Sequence, residues 1–420
     1  MAALLIIVAL PKMGAMVGTV PLYVSVVVGQ LLAMVGIYHA LKHLRHWREA
    51  LLVILLSVLT FIWLGHFLFA LGQGLLAREV ARYVFYFLPF TGLAVCLAVS
   101  SSKCSTGQIV FTVRNACYAI MGYACLQIVF GPELLAIQYV TAVYGDSFDE
   151  VITKTNVIHR LGGELSKVFS TYQNGNLFAV ALTILFPVAF FSEKRRSIRL
   201  IAFVAAHVIF VFAASTTGYI SIILIDGFII WRMARGGRSS LMALMLFLAS
   251  VSSVVAMLVF FTDFGVVGDL LSAKLFQRDL SENLRWYKSS LWMQSIAERP
   301  VGFFFGEMSR RDMIPVFEVL PFSIAQFYGI PVAILFYVVI ISYLLPLRVS
   351  DFNIGLLAYL ITSVGSSGFW LTPTPYIIGI ALGIVQRERL DREVLGPTRW
   401  GSSPSLPSAS EGPRGAVAFS

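Results

Sequence analysis

Charge is scarce in this 420-residue chain. Only 13% of its residues are Asp, Glu, Lys or Arg, about half the share of roughly 25% found in soluble domains, which excludes a protein that lives wholly in water. Cysteine is scarce as well. Cys96, Cys104, Cys117 and Cys125 lie in or beside apolar blocks at no metal-ligand spacing, so neither a disulfide framework nor a zinc site is expected. No phosphate-binding glycine loop or ATPase motif occurs, and no helical repeat period, so ATP hydrolysis is not expected to drive the function. Residues 2–17 lack the basic start and small-residue cleavage site of a secretory signal.

What fills the chain instead is apolar surface. Hydrophobic residues make up 58% of it and mean hydropathy is +0.83, so lipid is the expected solvent. A bilayer core of about 30 Å needs about 20 apolar residues per helix. Blocks that meet or approach this length run over residues 2–17, 20–40, 50–70, 82–99, 108–130, 174–191, 200–214, 217–231, 241–261, 325–345, 352–364 and 369–385. The expected fold is therefore an all-α, polytopic membrane protein with about twelve spans. The first block is interrupted by Pro11 and Lys12 and reads equally as a kinked or half-spanning helix.

The net charge of +9 is scattered between apolar blocks and forms no continuous stripe, which argues against nucleic acid as a partner. Alternating the blocks puts Lys42, Arg45, Arg48, Lys103, Lys194, Arg195, Arg196, Arg199, Arg232, Arg235, Arg238, Arg348 and the tail arginines on one side, against Arg78 and Arg82 on the other. The positive-inside bias makes the first side cytoplasmic, with both termini inside. Two long segments, about 131–173 and 262–324, then emerge together outside. Residues 1–386 read as one multi-span domain and 387–420 as a disordered cytoplasmic tail.

The outer segments carry the chemistry. In the second, Asp279 with Glu282 reads as a capping box that opens a helix ended by Pro300. Arg285, Ser289, Trp292 and Ile296 share one face of it. That face suits a lipid phosphate or a sugar, and equally an arginine snorkelling over a tryptophan. The first segment holds Asp146, Asp149, Glu150, Lys154, His159, Arg160, Glu164 and Lys167, then Asn174, Gly175 and Asn176 at the start of a span. The Asn-Gly-Asn step is a turn and helix-start signal, and His159 has no second histidine at metal spacing. Within the spans, Asp226 precedes Arg232 by six residues, which suggests a local pairing or water contact. His66 and His207 each stand alone and read as packed, hydrogen-bonded side chains.

Three pieces, in order, resemble the O-antigen polymerase and ligase superfamily of bacterial cell-surface polysaccharide assembly. The first is Arg160-Leu161-Gly162-Gly163 followed by Gln173-Asn174-Gly175-Asn176 and a span. The second is the turn Ser215-Thr216-Thr217-Gly218. The third is Arg285 through Trp292 and Ala297 to Pro300-Val301-Gly302 and Gly306. The superfamily's ligases place a histidine about eleven residues before a glycine that opens a late span, and here that position before Gly329 is Glu318. A polymerase therefore fits the resemblance better than a ligase acting on lipid A core.

The resemblance implies a membrane glycosyltransferase fold of the C type, no metal and no cofactor. It implies transfer of a glycan from undecaprenyl-diphosphate-linked oligosaccharide to a sugar hydroxyl, on the outer face of the bacterial inner membrane. Arg160 and Arg285 are the expected diphosphate contacts and Glu318 the expected base. Trp292, Asn174, Asn176 and His159 are the expected substrate contacts. Beyond the lipid bilayer, a chain-length regulator and a flippase are the implied partners. A transporter or flippase for lipid-linked sugars is the alternative from a different class; it would place polar groups at the membrane midplane.

Overall fold

Hydrocarbon offers a backbone no hydrogen-bonding partners, so an apolar run that enters it closes its own N–H and C=O groups as helix. The computed structural model describes residues 1–17, 20–44, 46–74, 77–141, 157–160, 163–172, 174–213, 215–235, 284–308, 319–345, 350, 352–363 and 368–395. Helix α1, Ala2–Ala9, leads into a hairpin of β1, Gly14–Val17, with β2, Val20–Tyr23. There follow α2, Val24–Lys42; α3, Trp47–Gly72; α4, Ala77–Leu93; α5, Val95–Ser100; α6, Thr106–Phe130; and α7, Pro132–Leu135. A second hairpin pairs β3, Val157–Arg160, with β4, Gly163–Ser166. Then come α8, Gly175–Ser192; α9, Arg196–Ala213; α10, Thr216–Arg235; α11, Leu284–Glu298; α12, Val301–Phe305; α13, Leu320–Tyr328; α14, Ile330–Leu344; and α15, Asn353–Ser363. A 3-10 turn, Gly368–Trp370, precedes α16, Thr374–Leu395.

The protein is thus an all-α, multi-pass membrane protein. Among the described residues six segments are long and apolar enough to cross a bilayer: α2, α3, Tyr83–Ser100 of α4 and α5, α6, α8 and α9. Three shorter apolar helices, Thr217–Trp231, Ile330–Leu344 and Asn353–Ser363, add to the bundle.

Several expected spans take another form. Block 2–17 makes only the eight-residue α1 before the chain turns at Pro11 into β1. Eight residues rise about 12 Å, less than half of the hydrocarbon thickness, so this block is no full crossing. Block 325–345 is divided at Gly329, whose φ of 91° breaks the helix between α13 and α14. Block 241–261 lies outside the described residues.

Helix α16 is the bundle's central post. Its residues Tyr376 to Val385 are buried on every side, and it touches α1, α4, α5, α6, α8, α14, α15 and the 3-10 turn. A polar link fixes it laterally: Gln30 Nε2 of α2 donates to Tyr376 OH at 2.9 Å, and Thr91 Oγ1 of α4 donates to Gln30 Oε1 at 2.8 Å.

One end of the bundle is closed by arginines. Arg48 Nε donates to Ser342 O at 2.8 Å, and Arg389 Nη2 to Tyr343 O and Leu345 O at 3.0 and 2.7 Å. Arg387 reaches Ser102 O, Arg114 Nη1 reaches Ser192 O at 3.3 Å, and Arg199 Nε reaches Glu193 O at 3.1 Å. Each acceptor is a carbonyl at or just past a helix C-terminus, unsatisfied within its helix and at the negative end of the dipole. The same contacts correct the expected domain boundary: α16 runs past residue 386 to Leu395, because Arg387 and Arg389 dock its charged end on the C-termini of α5 and α14. Residues 396–420 lie outside the described residues.

Candidate functional site

The opposite end of the bundle is the mouth. Here the returning arm of the first long segment is fastened by Gln127 of α6, fully buried, whose Oε1 accepts from Phe169 N and Ser170 N at 3.3 and 2.7 Å. Ser170 takes a φ of 51°, and its Oγ donates to Ile120 O at 2.8 Å. Tyr172 OH donates to Val8 O at 2.7 Å, which ties the arm to α1. Before that arm, the β3–β4 hairpin sets His159 opposite Glu164 and Arg160 opposite Gly163.

The Asn174-Gly175-Asn176 step lies against the end of α9 at this mouth, just before the Ser215 turn. Val168 N donates to Phe212 O at 3.0 Å. A side chain at Gly175 would begin 2.7 Å from Ala213 O, so only glycine lets α8 start this close to the end of α9. Two residues later the chain turns at Ser215, whose Oγ accepts from Gly218 N at 3.3 Å. Asn174 caps α8: its Oδ1 accepts from Asn176 N at 2.8 Å, with the Asn176 side chain exposed. The oxygen of Asn174 is therefore occupied by the helix it starts.

The third segment forms a layered cap. Arg285 lies in the first turn of α11. Trp292 is buried, its ring centroid 6.1 Å from that of Phe322, so it fastens α11 to α13 rather than lining an open surface. Gly306, at φ 74°, lies against the backbone of Phe327, and Gly329 lies against Phe304 O, so the two glycines lock α12 onto the α13–α14 junction from both sides. His66 of α3 joins this lock through its Nε2, 2.8 Å from Phe305 O. Trp370 Nε1 donates to Ser323 Oγ at 2.8 Å, and the 3-10 turn that carries it packs on α8. The cap is thereby joined to the helix that starts at Asn174.

Glu318 lies outside the described residues, as do Asp279 and Glu282. A different carboxylate stands in the cap. Glu307 is 5% exposed, its Oε1 accepts from Ser295 Oγ at 2.6 Å, and its Oε2 is buried with no hydrogen-bond partner. Periodicity does not reveal this pairing, because Ser295 and Glu307 belong to different elements joined by Pro300. Its position directly after Gly306 is the only sequence signal.

Two lysines stand near the mouth. Lys12 is buried in the bend after α1, its Nζ 4.3 Å from the ring centroid of Tyr23. Burial pulls its ammonium from 10.5 down to about 7. Lys167, on the fastened arm, is also pushed down by burial.

Deeper in the bundle, His207 does not stand alone: its Nε2 is 2.9 Å from Asp226 Oδ2 across the α9–α10 pair, while the Arg232 side chain lies outside the described residues. No protein-family model matches the chain, and no curated protein or solved structure matches it.

Proposed function

We propose that the protein is a polysaccharide polymerase of the bacterial inner membrane, acting on undecaprenyl-diphosphate-linked oligosaccharide at the mouth, with the arginine end cytoplasmic. The observation that supports this reading is convergence. Gly175, in the first of the pieces that resemble the O-antigen polymerase superfamily, lies against Ala213 just before the second, Ser215 to Gly218, and the third, Arg285 to Gly306, is joined to α8 through Phe322, Ser323 and Trp370.

In the transfer, the bond from the anomeric carbon to the diphosphate oxygen breaks and a bond to the acceptor hydroxyl oxygen forms. The electron pair leaves on the diphosphate, whose developing charge Arg160 and Arg285 hold as planar forks. The hydroxyl proton passes to a carboxylate, Glu318 or Glu307. Attack opposite the leaving group inverts the anomeric centre.

The test is purified protein with undecaprenyl-diphosphate-linked repeat units, read as a polymer ladder. Arg160→Ala and Arg285→Ala are each expected to lose on the order of a hundredfold, equivalent to about 3 kcal/mol in the transition state, with poor rescue by lysine. Wild-type polymer from both variants removes the arginine assignment. Absence of polymer from the wild type, with product only when lipid A core is supplied, makes the enzyme a ligase.

A transporter for lipid-linked sugars is the second reading, favoured by the buried His207–Asp226 pair far from either helix end. Translocation of labelled lipid-linked sugar across proteoliposomes, without polymer, decides for it.

A further inference from the structure

A lysine is buried where the chain first turns. Lys12 is 5% exposed, in the bend between α1 and the β1–β2 hairpin. Backbone and side-chain bonds fasten the bend around it: Ser25 Oγ donates to Pro11 O at 2.5 Å, Val24 N to Met13 O at 2.8 Å, and Gly14 N to Tyr139 O at 3.0 Å. Lys12 is therefore held at this place by the fold. Among the described residues its Nζ contact is the face of the Tyr23 ring, 4.3 Å away. Burial alone lowers its ammonium, with no neighbouring charge raising it. An ammonium carries three N–H donors, and a ring face does not occupy them all. A desolvated cation with donors to spare is costly until an anion completes it.

The hairpin beside Lys12 sets the depth at which that anion must lie. From Met13 to Tyr38 the sequence holds no Asp, Glu, Lys, Arg or His. The hairpin turns apolar side chains outward, with Val17 63% and Leu22 50% exposed, and these favour lipid over water. Its open strand edges cannot enter hydrocarbon, where an unpaired N–H or C=O finds no partner. The headgroup level of the membrane meets both demands. Tyr23, paired with Gly14 at the base of the hairpin, is followed directly by the spanning helix α2, and tyrosine is enriched at this depth. Lys12, over the Tyr23 ring, therefore stands where a span leaves the hydrocarbon. The anion that populates this level is lipid phosphate.

Charge complementarity selects among lipids. A zwitterionic headgroup carries an ammonium of its own beside the phosphate, whereas phosphatidylglycerol leaves its phosphate charge unmatched. We propose that Lys12, at the base of the β1–β2 hairpin, binds the phosphate of an anionic phospholipid in the leaflet at the mouth. The site does not depend on the polymerase reading. Tyr172 ties the arm of the first long segment to Val8, four residues before Lys12, so the bound lipid steadies the mouth as well as the hairpin.

The test adds phosphatidylglycerol or phosphatidylcholine to the full-length protein in maltoside micelles at pH 6. Retained lipid is read by native mass spectrometry and stability by melting temperature. The wild type is expected to retain one phosphatidylglycerol more than Lys12→Met does, held roughly tenfold more tightly than phosphatidylcholine, and to melt higher with it. Phosphatidylglycerol held at the arginine end is common to both proteins and cancels. The stability advantage of Lys12→Met in micelles without lipid is expected to shrink as phosphatidylglycerol is added.

Equal responses from wild type and Lys12→Met overturn the proposal. That is the result expected if Asp146, Asp149 or Glu150, which lie outside the described residues, neutralises Lys12. A Lys12-dependent gain from undecaprenyl diphosphate, with none from phosphatidylglycerol, also overturns it and gives Lys12 to the carrier. If Lys12→Met does not fold, Lys12→Gln takes its place and is judged by the same two readouts.

Discussion

Ser295 Oγ stands 2.6 Å from Glu307 Oε1, joining the helix that begins near Arg285 to the loop that follows α12. The other carboxylate oxygen has no partner. Glu307→Gln keeps shape and hydrogen bonding, so it is expected to leave stability unchanged. If Glu307 receives the acceptor's proton, the same change lowers kcat by on the order of a hundredfold with KM retained. Ser295→Ala strands a buried carboxylate and is expected to cost about 1–3 kcal/mol in unfolding measurements.

Gly306 and Gly329 grip one another's neighbouring backbone with φ values of 74° and 91°. Alanine at either position meets both a positive φ and an occupied space, and each change is expected to cost upwards of about 2 kcal/mol. Detergent-solubilised yield and melting temperature measure it. Alanine at Gly107, which has open space around it, is the control.

Lys12→Met is expected to stabilise the protein at neutral pH. Burial holds the Lys12 ammonium at about 7 against 10.5 when exposed, so between these values the unfolded chain binds the proton and the folded chain releases it. Stability from this group therefore rises with pH from about 7 to 10.5, and the penalty is greatest, and constant, below 7. Methionine removes both the penalty and the slope. A gain of roughly 2–4 kcal/mol at pH 7 is expected, reduced by loss of the cation–π contact with Tyr23.

Arg389→Ala is expected to cost about 2 kcal/mol by removing the donor to Tyr343 O and leaving Leu345 O only the 3.5 Å contact from Arg48 Nη2. Arg389 is almost fully buried, and desolvation draws its guanidinium down only to about 10, so it stays charged at neutral pH. Lysine at this position reaches one carbonyl instead of two and recovers part of the loss. Chemical denaturation of the purified variants checks both values.

Apolar runs reveal themselves by length, and α2, α3, α6, α8 and α9 follow the sequence to within a few residues. Breaks inside such runs do not, because hydropathy sums side chains and ignores backbone direction. Pro11 turns the first run back as a hairpin, and Gly329 divides a later one through a positive φ. Contact between Gly175 and the end of α9 was within reach, since residues 193–195 join α8 to α9 and set them antiparallel, as the short turn at Ser215 does for α9 and α10. His207 and Asp226 were within reach for the same reason, once depth along α9 and α10 is counted from that turn. Glu307 was not, because its partnership with Ser295 depends on the fold of α12 between them.

Helix α16 stands at the centre of the bundle although it is the last described element in the chain. A ribosome delivers the surrounding helices first, so each enters the bilayer with its inward face uncovered and nothing to close upon. Assembly is therefore completed from the C-terminal end, by a single segment filling a vacancy left among α1, α4, α5, α6, α8, α14 and α15. Chains cut before Thr374 should persist as inserted but unclosed bundles, exposed to membrane proteases, whereas removal of residues 396–420 spares the segment that finishes the structure.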